Sequence, residues 1–128
     1  MKSILLIEPD FYSASLYASA LKAIGLTAEV ASNAQAALDA LDKKIFDGII
    51  LELDLKGHNG LEFLYEFNSH IDWSDIPIIV HSNLNPDSLS HMSVGWSDFN
   101  VVEFLYKART SLKDLQIAAT NLLSTKLN

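Results

Sequence analysis

The sequence predicts a three-layer α/β fold, with five parallel strands in the order 2-1-3-4-5 and helices on both faces, as one domain over residues 1–128. Short apolar runs alternate along the chain with longer stretches of helical periodicity, the rhythm of a parallel sheet whose strands are buried on both sides. No composition break, Pro/Gly-rich linker, repeat or low-complexity segment divides the chain, and 128 residues suit a single core.

Ile4 to Ile7 forms the first apolar run. A helix follows from about Phe11, with Leu16, Ala20, Leu21 and Ile24 at helical spacing and Gly25 placed to end it. Thr27 to Ala31 reads as a strand, and Ser32-Asn33-Ala34-Gln35 has the form of a capping box opening a helix through Lys43. Gly48 to Glu52 is the third strand; after a loop from Leu53 to Asn59, a helix carries Leu61, Leu64, Tyr65 and Phe67. Ile76 to His81 is the fourth strand, its proline near the start, where a missing N–H is tolerated. Asn85-Pro86 then supplies an N-cap and a first-turn proline. The fourth helix so opened carries Leu89, Met92, Trp96 and Phe99 on one face; Gly95 weakens it and Asn100 is suited to stop it in the left-handed conformation. Val101 to Tyr106 is the last strand, and Ser111-Leu112-Lys113-Asp114 opens a terminal helix with Leu115, Ala119, Leu122 and Leu123 inward.

Right-handed crossovers leave few topologies for five such units, and the flavodoxin-like order 2-1-3-4-5 is the commonest at this size. In such sheets ligands bind beyond the carboxyl ends of the strands. Four polar residues stand there: Glu8 after strand one, Glu52 after three, Ser82 after four and Lys107 after five. Strands one, three, four and five are neighbours in that order, so the four side chains converge on one pocket.

Sixteen acidic against nine basic residues give a formal charge of −7, the wrong sign for holding a phosphate backbone, so no direct nucleic-acid partner is expected. A 49% hydrophobic and 9% aromatic composition argues against a disordered chain except at the last few residues. Without cysteine there is no disulfide framework or thiolate metal site. The opening residues turn acidic at Glu8 after too short an apolar run for a signal peptide. The longest apolar runs, such as Phe46 to Leu51 broken by Asp47, fall far short of a membrane span. A soluble, cytoplasmic protein with no membrane contact is expected.

The pocket residues resemble those of the response regulator receiver domain, the CheY-like superfamily, from Met1 to about Leu123. In that family an acidic pair after the first strand and a phosphoacceptor Asp after the third hold Mg²⁺. A Ser or Thr after the fourth strand and a Lys after the fifth contact the phosphoryl oxygens. The segment from Asp47 through Glu52 and Asp54 to Gly60 resembles the phosphoacceptor strand and loop, with Glu52 at the Asp position. Ile76 to Ser82 is similar to the strand ending in the hydroxyl residue. Phe104-Leu105-Tyr106-Lys107-Ala108 is similar to the Lys strand, with Phe104 at the position of the aromatic that reorients on activation. The resemblance implies a two-component signalling module in a histidine kinase-linked pathway that works by protein contact and is not an enzyme.

Several residues depart from the family pattern. Pro9 stands where the carboxylate used most directly on the metal belongs, and Asp10, at the start of the helix, is not placed to substitute. Mg²⁺ requires near-octahedral oxygens at about 2.0–2.1 Å and one or two carboxylates, so its binding is expected to be weak or absent. Glu52 is one methylene longer than Asp, and misplacing a reacting group by about 1 Å costs on the order of a hundredfold in rate. Asn83 follows Ser82 where the family usually has Ala or Gly, which narrows the entry. Ala108 replaces the Pro that usually follows the Lys with a cis bond; a cis bond before Ala costs about 3–4 kcal/mol, so a trans bond and a shifted Lys107 backbone are expected.

These departures predict a pseudo-receiver with no cofactor and no Asp phosphorylation. The alternative is a working receiver phosphorylated weakly or at a non-standard carboxylate. A remote alternative, suggested by Asp54 two residues after Glu52, is an aspartate-based phosphatase; its acidic motif follows the first strand, where Glu8-Pro9-Asp10 stands here. Glu52 either stands in for a charged phosphoacceptor or satisfies Lys107, and both readings remain open. Asp54 is expected as a loop carboxylate, where the family offers a backbone carbonyl to the metal. His58, His70, His81 and His91 share no ligand spacing and are read as surface residues, with His58 and Asp54 the one pair of interest for a metal. Trp96, Phe99, Phe104 and Tyr106 are expected to form the partner face, with one or two of them exposed and the helix before strand five longer than usual. Its occupant would be a signalling protein or a second copy of the chain.

Overall fold

The computed structural model describes residues 1–55, 59–89 and 95–126. Five parallel strands, β1 (Ser3–Ile7), β2 (Thr27–Ala31), β3 (Gly48–Leu51), β4 (Ile78–Ser82) and β5 (Val101–Tyr106), form one sheet in the order β2-β1-β3-β4-β5. Its helices are α1 (Phe11–Lys22), α2 (Ala34–Lys43), α3 (Gly60–Asn68) and α4 (Leu112–Lys126). Three 3₁₀ turns, Pro86–Leu89, Trp96–Phe99 and Lys107–Arg109, complete the described elements. The flavodoxin-like order is thus the predicted one.

Alternate strand residues face two separate cores, because both faces of the sheet are covered. Leu5, Ile7, Ile49, Leu51 and Val80 face α2 and α3, where Phe63 and Phe67 pack. Ile4, Leu6, Ile50 and Ile79 face α1 and α4. Register aligns the carboxyl ends: Ile7 pairs with Leu51, Leu51 with Val80, and Ser82 with Tyr106. The next residue beyond β1, β3 and β5 is Glu8, Glu52 and Lys107 respectively, and Ser82 closes β4.

Caps set the helix boundaries. Asp10 caps α1, accepting from the Ser13 N–H at 2.9 Å, and Gly25, at φ +84°, turns the chain after it. Ser111 and Asp114 cap α4 reciprocally, each backbone N–H bonding the other's side chain at 3.0 Å, as their spacing predicts. The box expected at Ser32 and Gln35 is displaced by one residue. Asn33 is the N-cap of α2, accepting from Ala36 N–H at 2.8 Å, while Gln35 bonds Asp39.

Other expectations also change. Leu16, 52% exposed, and Ile24 do not face the core; Ala14, Ala20 and Leu21 do. Tyr65 is 60% exposed, and Phe63, Leu64 and Phe67 form the inward face of α3. β4 begins two residues later than predicted, at Ile78. The fourth helix is not continuous: its described flanks are the 3₁₀ turns at Pro86–Leu89 and Trp96–Phe99, and Met92 and His91 lie outside the described residues. Asn85 does cap the first turn, accepting from Asp87 N–H at 2.9 Å with Pro86 at its first position, while Gly95, a poor helix former, lies outside both turns. Asn100 does adopt the left-handed conformation, at φ 63°.

Candidate functional site

Glu52 follows β3 and is 2% exposed. Its carboxylate meets four donors, two on each oxygen. Oε1 accepts from Lys107 Nζ at 2.8 Å and from Asn83 N–H at 3.0 Å. Oε2 accepts from Asp54 N–H at 3.0 Å and from the Ser82 hydroxyl in a short contact. A carboxylate offers about four lone-pair sites, so this one is saturated. Burial opposes its ionisation, but the donors from Asp54, Lys107, Ser82 and Asn83 together outweigh that and hold the Glu52 carboxyl below its usual range.

Glu8, 3% exposed at the end of β1, takes the other side of the ammonium. Its Oε1 lies 2.5 Å from Lys107 Nζ, and its Oε2 accepts from Asp10 N–H at 3.2 Å. Burial disfavours the charged Lys107, yet its bonds to Glu52 and Glu8 hold it protonated, above the ordinary lysine range. One ammonium between two buried carboxylates leaves the cluster with a net charge of about −1.

Behind this cluster, His81 is 3% exposed and meets Tyr17 edge to face at 4.7 Å between ring centroids. The Lys107 ammonium lies 5.6 Å from the Tyr17 ring. Burial, followed by the nearby Lys107 charge, pushes the His81 imidazole down to about 4. An open cavity of about 630 Å³ lies over the cluster, bordered by Asp10, Ser13, Tyr17, Tyr106 and Ala108.

Glu8, Glu52, Ser82 and Lys107 therefore meet, as the sequence predicts. Asp10, Asp54 and Asn83 contribute backbone N–H groups instead of side chains. Asp10 is an exposed helix cap, the Asp54 side chain is exposed, and Pro9 is half-buried. The Lys107–Ala108 bond is trans. His81 is no surface residue, whereas His70 is exposed and stacks on Trp73; His58 lies outside the described residues, which leaves its pairing with Asp54 there too. A strand buried on both faces would have signalled the burial of His81. The backbone donors had no side-chain signal at all.

None of the four aromatics near β5 is exposed. Phe99 is core at 6% exposure, and Trp96, Phe104 and Tyr106 are half-buried, with Trp96 and Phe104 meeting edge to face at 5.8 Å. The expectation of one or two protruding anchors there is not met. Large exposed apolar side chains lie elsewhere, among them Phe11, Tyr12, Ile45, Tyr65 and Ile71.

Three features of these residues weigh against the Mg²⁺ that the receiver resemblance implies. The Lys107 ammonium occupies the space between the two buried carboxylates, Glu52 has no lone pair left, and Pro9 has no side-chain oxygen. Among the described residues no cluster of three His, Cys, Asp or Glu side chains is arranged to hold a metal. Nor, among them, is any helix long and apolar enough to cross a membrane.

Solved structures share this architecture. A sensor protein from Polaromonas sp. JS666 is 18% identical, with 98% of each chain covered and a TM-score of 0.87. The response regulator TrrA from Thermotoga maritima, solved in complex with Mg²⁺-BeF, is 24% identical over 96% of this chain and 100% of that one, with a TM-score of 0.78. A CheY-like receiver domain protein from Methanospirillum hungatei JF-1 is 17% identical over 98% and 96%, with a TM-score of 0.83. No curated protein matches the chain. Residues 4–115 match the family model for the response regulator receiver domain. With the β2-β1-β3-β4-β5 sheet and the carboxylate, hydroxyl and lysine at its carboxyl edge, that match over most of the length settles the family: the chain belongs to the response regulator receiver domains of two-component signalling.

Proposed function

We propose that this receiver domain is a pseudo-receiver, signalling through protein contacts without phosphorylation of an aspartate. The observation that carries the proposal is the saturation of Glu52 by Lys107, Ser82 and the N–H groups of Asp54 and Asn83. A nucleophile needs a free lone pair aimed at phosphorus, and a carboxylate with four donors has none to offer. Ser82 and Lys107, the donors that the family directs at phosphoryl oxygens, are already satisfied by a permanent negative charge. The extra methylene of glutamate carries the carboxylate onto them.

Receiver domains act by contact with signalling proteins such as histidine kinases. In this domain the contact would be made from a single, pre-set arrangement of the pocket, because no ligand is needed to complete its hydrogen bonds. Thermal unfolding with and without Mg²⁺ and beryllofluoride tests the proposal, with the TrrA protein as positive control, since its structure holds that complex. No change in Tm is expected for this chain. A rise dependent on both Mg²⁺ and beryllofluoride would overturn the proposal and favour a working receiver.

A further inference from the structure

α1 turns Ala14, Ala20 and Leu21 to the core and leaves Phe11, Tyr12, Ser15, Leu16 and Ser19 exposed, at spacings that place these five on one side of the helix. Phe11 and Tyr12, 76% and 82% exposed, stand together in its first turn, edge to face at 5.8 Å between ring centroids. Leu16 follows one turn after Tyr12. Exposed apolar side chains grouped in this way mark a contact surface, unlike those scattered singly.

The same side has a hollow at its other end. A cavity of about 420 Å³ opens between α1 and the start of β2, bordered by Ala18, Ser19, Lys22, Thr27 and Ala28, none of them buried. Rings at the N-terminal end and a hollow among small side chains at the C-terminal end make the face complementary to itself. A second copy laid antiparallel about the midpoint of Ser15 and Leu16 would receive Tyr12 on its Ser19 and Phe11 over its cavity, and the reverse contacts follow by symmetry. Small side chains at Ser15 and Ser19 let two helices approach to about 8–10 Å between axes.

Charge favours the same occupant. From Phe11 to Leu21 the chain has no charged residue, whereas α2, α3 and α4 each carry at least one carboxylate. Two copies of a chain with formal charge −7 repel each other, least where the facing surfaces are neutral. A strongly charged partner would find no counter-charge along this face. Antiparallel packing also brings Lys22, which ends the uncharged run, to the end of the second copy's α1 that Asp10 caps.

We infer that the exposed face of α1 is a homodimer interface, two copies packing antiparallel through Phe11, Tyr12, Ser15, Leu16 and Ser19. One helix pair makes a small interface and therefore a weak, concentration-dependent dimer. The inference goes beyond the pseudo-receiver reading and fails separately from it: a phosphoryl adduct at the pocket would overturn that reading and leave the α1 contact untouched.

Sedimentation velocity of the chain, over concentrations from the micromolar to the millimolar range, is expected to show a monomer–dimer equilibrium. The exposed-site double variant Tyr12→Glu, Leu16→Glu should raise the dissociation constant about tenfold or more. The control Ile45→Glu, Ile71→Glu, at exposed positions off α1, should leave it unchanged. Circular dichroism and Tm confirm that the variants are folded. The chain has no cysteine, so single introduced thiols read the orientation. Ser15→Cys is expected to cross-link between copies under mild oxidation. Ser19→Cys, about 10 Å from its counterpart along the helix axis, is not. A monomer at every concentration, a dimer that survives the α1 double variant, or one broken by the control would each overturn the inference. So would cross-linking of Ser19→Cys as readily as Ser15→Cys.

Discussion

Lys107 Nζ lies 2.8 Å from Glu52 Oε1, although β3 and β5, the strands that deliver the two residues, are separated by β4. The pair reaches across the end of β4 and, with Ser82 bonded to the same carboxylate, ties three strand ends together. Lys107→Met would leave Glu8 and Glu52 buried without their shared cation. A loss of stability of about 3–5 kcal/mol is expected, read from denaturant unfolding. A loss under about 1 kcal/mol would mean that the ammonium is not the partner these carboxylates depend on.

His81 makes stability depend on acid. Its imidazole titrates at about 4 in the fold against an ordinary 6.5, because burial and then the Lys107 charge disfavour the cation. The unfolded chain therefore binds a proton more readily than the folded one between those values. The stabilisation is full above about 6.5 and is lost as pH falls toward about 4, a contribution on the order of 3 kcal/mol. His81→Phe keeps a ring against Tyr17 and removes the titration. Between pH 7 and about 4 the unfolding free energy of the chain with His81 should fall by about 3 kcal/mol relative to that of the variant. Parallel curves would contradict the assignment.

Much of this arrangement was legible in the sequence, because strand order and register follow from apolar periodicity and crossover handedness. Those two facts alone bring Glu8, Glu52, Ser82 and Lys107 to one edge of the sheet. What stayed hidden depends on atoms that side-chain identity does not encode. The N–H groups of Asp54 and Asn83 aim at Glu52 because of local backbone turns, and a one-residue shift moved the α2 cap from Ser32 to Asn33. Helical spacing also misassigned Leu16 and Tyr65, since periodicity marks an apolar stripe without saying which edge of it the sheet covers. Of the helix predicted over residues 86–99, Asn85 caps and Pro86 opens the first turn as the sequence predicts, but the described flanks are 3₁₀ and Gly95 lies outside them, where its backbone freedom disfavours a helix.

Gly60 packs closely against Leu53, the residue before Asp54. Its own N–H donates to the Leu53 carbonyl at 2.8 Å, and a Cβ there would lie 2.6 Å from Leu53 Cα, a backbone atom that cannot swing aside. Gly60→Ala is expected to cost about 1–3 kcal/mol in unfolding experiments, with the Asp54 amide signal shifted in NMR spectra. An unaltered Asp54 amide would show that the loop is positioned by other contacts.

Restoring receiver chemistry should take more than one change. Glu52→Asp alone retracts the carboxylate but leaves Pro9 without a metal-binding oxygen, so no phosphorylation is expected. Combining it with Pro9→Asp and Asn83→Ala returns the acidic pair and opens the entry, and should restore Mg²⁺ binding. Calorimetric titration of each variant with Mg²⁺ decides it; a single variant phosphorylated at an ordinary receiver rate would remove the weight placed on Pro9.

Glu52, saturated by its four donors, is not expected to accept a phosphoryl group. Intact-mass spectrometry of the chain after incubation with a small-molecule phosphodonor and millimolar Mg²⁺ reads this directly. An unchanged mass is expected; a stoichiometric phosphoryl adduct, stable in acid and labile in base, would contradict the pseudo-receiver reading.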